Sequence, residues 1–145
     1  MEFGWINGAG AVLVVLMLVP NVIFAIRNPG QGNKCRSPWM NLLEQIGRYG
    51  SMALMAFPLG VWKFGFPSVA EFLIYLFANG ALLISYWVFW WFYFRKATPK
   101  LALVLAVLPT CIFLVSGLTL RHWLLVFASV IFGAGHIYVT RENNK

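Results

Sequence analysis

The chain has 145 residues, 61% of them hydrophobic and only 10% charged, with a net charge of +7. A soluble domain typically carries about 25% charged residues, so there are too few charges here to coat a globule in water. The basic excess does not imply a nucleic-acid partner, because the cations sit in gaps between apolar blocks rather than along a stripe of base-reading side chains.

The apolar residues come in long blocks rather than at a period of two or 3.6. Such blocks suit helices covered on all sides, with lipid as the solvent. Each crossing needs about 20 apolar residues. The first block runs from about Trp5 to Ile26. It begins Met1-Glu2-Phe3, has no basic n-region, and is longer than the apolar part of a cleaved signal peptide. Its first cation, Arg27, follows it, which predicts an uncleaved helix inserted with its N-terminus outside. Pro29, Gly30 and Asn33 then break the chain into a loop. The second block runs from about Trp39 to Trp62. Gly65-Phe66-Pro67-Ser68 forms the next gap, with Ser68 as N-cap of a third helix, about Val69 to Phe94. Thr98 and Pro99 serve as cap and first position of a fourth, about Leu101 to Leu120. A tight turn at Leu120-Arg121-His122-Trp123 leads into a fifth, about Trp123 to Thr140.

Charge sets the orientation. Arg27, Lys34 and Arg36 follow the first block, Arg95, Lys96 and Lys100 the third, and Arg141 and Lys145 the fifth. With five crossings all of these share one side, and only Lys63 and Arg121 fall on the other. The positive-inside rule then places the larger group in the cytoplasm. The expectation is an all-α integral membrane bundle, a single domain of five transmembrane helices in a cell membrane. Its N-terminus is outside and its C-terminus cytoplasmic. A four-span alternative treats the second block as interfacial, since Asn41, Glu44, Gln45 and Arg48 make its start polar; the charge bias would then nearly vanish.

Polar side chains inside hydrocarbon invite an explanation. Glu44 and Arg48 stand one turn apart on one helix face, in the favourable order for a pair. Asn21 and His136 fall at the same depth in the first and fifth helices. Together Asn21, Glu44, Arg48 and His136 form a candidate buried polar cluster, either a packing pin or a site that handles a proton or cation. His136 brings titration near neutral pH. Asn79, in the middle of the third helix, is a candidate mid-membrane contact, read as an interhelical hydrogen bond. Glu71 is read as a structural partner of Lys63 or Arg121. The run Tyr86 to Phe94 is aromatic and ends at Arg95-Lys96, as befits a membrane interface. Gly4-x-x-x-Gly8 and Ser129-x-x-x-Gly133 allow close helix approach. Pro20, Pro58 and Pro109 each remove a helix hydrogen bond and are candidate kinks.

The stretch Glu44-Gln45-Ile46-Gly47-Arg48-Tyr49-Gly50, with Leu120-Arg121-His122-Trp123 and Gly133-Ala134-Gly135-His136-Ile137-Tyr138, resembles small multi-pass bacterial membrane proteins of no assigned function. The resemblance implies no activity and no site residues. Asp is absent, Cys35 and Cys111 lie far apart, and no Cys-x-x-Cys occurs; no catalytic residue, metal ligand or cofactor is expected. The leading functional expectation is transport of an ion or small solute through the polar cluster. The alternative is a non-catalytic subunit or assembly partner of a larger membrane complex, or a homo-oligomer. A lipid-modifying membrane enzyme ranks below both, because no nucleophile–base pair is visible.

Overall fold

The computed structural model describes residues 6–30, 32–57 and 65–145, and these form five α-helices. They are α1 (Gly8–Arg27), α2 (Pro38–Ala56), α3 (Val69–Arg95), α4 (Pro99–Thr119) and α5 (Trp123–Asn143). Each start is set by a side chain that accepts a hydrogen bond from the first turn, where backbone N–H groups lack helical partners. Asn7, Ser37, Ser68, Thr98 and His122 do so in turn. Pro38 and Pro99 occupy first positions, where no N–H is needed. The α4–α5 turn is closed by Arg121 in the left-handed region, at φ 54°.

The second helix ends earlier than the apolar block suggests. Phe57 is extended, at φ −123° and ψ 148°, because Pro58 follows and disfavours helical geometry in the residue before it. Pro58, Trp62 and Lys63 lie outside the described residues, as do Gly4 and Trp5.

Four helices, α1, α3, α4 and α5, are long and apolar enough to cross a membrane. The exception, α2, is the least apolar because Asn41, Glu44, Gln45 and Arg48 occupy its first turns. It nonetheless runs between the same two ends of the bundle as the others. At one end the Lys34 N–H donates to Asn143 Oδ1 at 2.6 Å, and the Arg27 guanidinium lies 5.3 Å from the centre of the Phe94 ring. At the other, the Asn7 N–H donates to the Ala56 carbonyl at 2.8 Å, and Arg121 pairs with Glu71 at 2.9 Å. Helices α1, α3 and α5 therefore point one way, α2 and α4 the other.

This arrangement gathers the cations. Arg27, Lys34, Arg36, Arg95, Lys96, Lys100, Arg141 and Lys145 all belong to the first end, and among the described residues only Arg121 belongs to the second. The packed centre is α2 against α5, with α4 beside them, and α1 lies at the edge against α2 and α3. Ile112, Phe113, Leu125 and Met55 are fully enclosed. Pro20 and Pro109 stand inside helices. Pro20 has no N–H to give the Leu16 carbonyl. The Trp87 indole N–H of α3 donates to that oxygen instead, at 2.9 Å, which satisfies a group that hydrocarbon cannot.

Candidate functional site

The site begins with two glycines. A Cβ on Gly47 would stand 2.5 Å from the Phe132 backbone, and one on Gly135 would stand 2.7 Å from the Glu44 backbone nitrogen. Both are far inside contact distance, so α2 and α5 meet backbone to backbone only because these side chains are absent. That approach brings Glu44 to His136. The His136 Nδ1 and Glu44 Oε1 are 2.7 Å apart. One turn along α2, Arg48 Nη2 donates to the same oxygen at 2.5 Å. Phe132 stacks on the His136 ring at 4.8 Å between centroids, which holds the imidazole in plane.

Glu44 is 4% exposed, while the Arg48 and His136 side chains keep 30% and 22%. The carboxylate is thus enclosed and its partners reach outward. With His136 neutral, Glu44 and Arg48 cancel. With His136 protonated, the group carries one net positive charge. In apolar surroundings such a change requires compensation. One carboxylate oxygen thus ties α2 to α5 through an imidazole and carries a guanidinium from its own helix.

Asn21 does not bond to this group. Its amide donates to the Tyr86 hydroxyl at 2.7 Å and to the Met17 carbonyl at 2.8 Å, because its face of α1 is turned to α3. Arg48 lies within electrostatic reach of the same phenol, so the two groups occupy neighbouring parts of the cationic end.

A second polar cluster occupies the opposite end. Asn7, Tyr75, Asn79 and Ser116 are each 0% exposed. The Asn7 amide donates to the Tyr75 hydroxyl at 3.3 Å, and the Asn79 amide donates to Ser116 Oγ at 3.2 Å. Tyr75 also engages Ser116. Asn79 thus makes an interhelical bond, and the chain of contacts links α1, α3 and α4. Every member is neutral. Asn79 Oδ1 and Ser51 Oγ find no hydrogen-bond partner among the described residues. Glu71 meets Arg121 rather than any buried group, with side chains 27% and 58% exposed.

Sequence reading gives no part in the polar clusters to Gly47, Gly135, Tyr86, Asn7, Tyr75 or Ser116. One signal was available: Gly47-x-x-x-Ser51 repeats the small-residue spacing of Ser129-x-x-x-Gly133. The aromatic run proves two-faced. Tyr86 and Trp90 are buried, whereas Trp87, Trp91 and Phe92 face outward.

A groove of about 440 Å³ runs along α5 past Ala134, Tyr138 and Arg141 to Lys145, and the Glu44 group does not line it. Glu142 accepts from Lys145 there at 2.6 Å, a bond that pushes the Lys145 pKa up. Among the described residues no three His, Cys, Asp or Glu side chains gather as a metal site. No known protein family, curated protein or solved structure matches the chain. The site is therefore read from its own chemistry.

Proposed function

We propose that the chain is a five-span protein of a bacterial cytoplasmic membrane, with α2 as the polar crossing, its N-terminus outside and its C-terminus in the cytoplasm. It transports an ion or small solute, with a proton carried on Glu44 and His136. The observation that carries this reading is one enclosed carboxylate oxygen shared between an imidazole at 2.7 Å and a guanidinium at 2.5 Å. Ionisable groups at membrane depth are costly to keep and characteristically mark proton or ion paths. The crowding of cations at one end supports the orientation. Neutral polar side chains at the other end supply hydrogen-bonding groups on the far side of the apolar centre.

The test is reconstitution into liposomes, with flux of a panel of ions and small solutes measured under an imposed pH gradient. The expected result is flux by the native chain and by Glu71→Gln, and its loss in Glu44→Gln. Equal flux in native and Glu44→Gln liposomes, or no movement of any solute, overturns the reading.

A second reading, a subunit of a larger membrane complex, rests on uneven burial. Only 22% and 17% of the apolar windows of α1 and α3 are covered, against 44% and 39% for α4 and α5. A partner seated on α1 and α3 would even this out. Its test is co-purification of another membrane protein at fixed stoichiometry.

A further inference from the structure

The edge of the bundle carries a feature that the proton site does not use. Between α1 and α3 runs a groove of about 390 Å³ lined by Leu16, Leu83, Ile84, Trp87, Val88 and Trp91. Its wall is apolar, and its indole floor is pinned by the bond from Trp87 to the Leu16 carbonyl. The lining follows one face of α3, spaced three and four residues apart, and the next residue on that face is Arg95. The Arg95 guanidinium lies 4.1 Å from the centre of the Trp91 ring, so a cation closes the apolar groove at its end. From Leu83 to Arg95 the helix rises about 18 Å. Half of a bilayer's hydrocarbon core is about 15 Å. Groove and guanidinium together thus span about the depth of one leaflet.

The charges at this mouth are unmatched. Glu44 is taken by Arg48 and His136, Glu142 by Lys145, and Glu71 lies at the opposite end. Arg95, Lys96 and Arg27 make no ion pair among the described residues, and all three are exposed.

We propose that this groove binds an anionic phospholipid of the leaflet at the cationic end. One acyl chain lies along the α3 face and the headgroup phosphate meets Arg95, with Lys96 and Arg27 at the same end. Arg suits the role, because its planar fork matches phosphate oxygens and its face stacks on an aromatic ring.

The test uses the purified chain in mild detergent and native mass spectrometry of bound lipid. The probes are dioleoylphosphatidylglycerol, dioleoylphosphatidylcholine and inorganic phosphate. The expected result is preferential retention of the phosphatidylglycerol. Arg95→Gln weakens it about fivefold, the worth of one cation near an anionic surface, and leaves the phosphatidylcholine unchanged. Val88→Trp, an outward-facing change that fills the groove, weakens both lipids. Equal binding of the two lipids by the native chain, or no effect of Arg95→Gln, overturns the proposal. Displacement of the bound lipid by inorganic phosphate alone also overturns it, since the mouth would then be a free-anion site.

Discussion

The two buried polar clusters meet the same difficulty in opposite ways. At the cationic end, Glu44, Arg48 and His136 bury a charge and balance it on two adjoining helices. At the other end, Asn7, Tyr75, Ser116 and Asn79 bury only neutral groups and spread them over three helices. The neutral cluster is fully enclosed, whereas the charged one keeps its cations partly exposed. An apolar environment tolerates a hydrogen-bonded amide far better than an ion. The charged cluster accordingly leaves Arg48 and His136 partly exposed, while the neutral one is closed over completely. Only the first holds charged side chains, and that is the difference between the two clusters.

Five variants break or sharpen the contrast. The largest effect is expected from Gly47→Val. Its new methyl groups meet the Phe132 backbone, which cannot turn aside as a side chain would. Overpacking of this kind costs about 3 kcal/mol, seen as a lowered unfolding midpoint in detergent, together with loss of flux as Glu44 and His136 separate. Glu44→Ala comes next, at about 2 kcal/mol. That is below the loss for a fully enclosed pair, because Arg48 and His136 keep contact with their surroundings. Tyr75→Phe removes the hydroxyl that joins Asn7 to the neutral cluster and costs about 1 kcal/mol. Its flux stays at the native level, whereas His136→Gln loses flux; loss of flux in Tyr75→Phe would erase the distinction between the clusters. Glu71→Gln has the smallest effect, about 0.5 kcal/mol and weaker in high salt, since its partner Arg121 is exposed.

The helices were legible in the sequence because lipid selects for uninterrupted apolar blocks. The caps at Ser68 and Thr98 were legible because their chemistry is local. The end of α2 was not legible: the apolar block continues past Pro58, yet Phe57 already leaves the helix. Glu44 and Arg48 were readable as a pair from one-turn spacing. Their meeting with His136 was a matter of depth alone, and the cause of that meeting, bare backbone at Gly47 and Gly135, is a long-range property. Asn21 shows the limit of arguing from depth. It lies at the cationic end, but rotation about α1 gives it to Tyr86. Asn7 was passed over because it sits where the first helix starts, and only the fold reveals that its amide faces α3.

The contrast between the clusters depends on α2 crossing the membrane, so that five helices put the chain's two ends on opposite faces. The direct measurement is labelling by a membrane-impermeant thiol reagent in cells, with Cys35 and Cys111 replaced by Ser and a single cysteine placed at Ile6 or at Lys145. Five crossings predict that Ile6→Cys reacts in intact cells and that Lys145→Cys reacts only after the membrane is opened. Reaction of both, or of neither, in intact cells would place the two ends on one face and contradict the account.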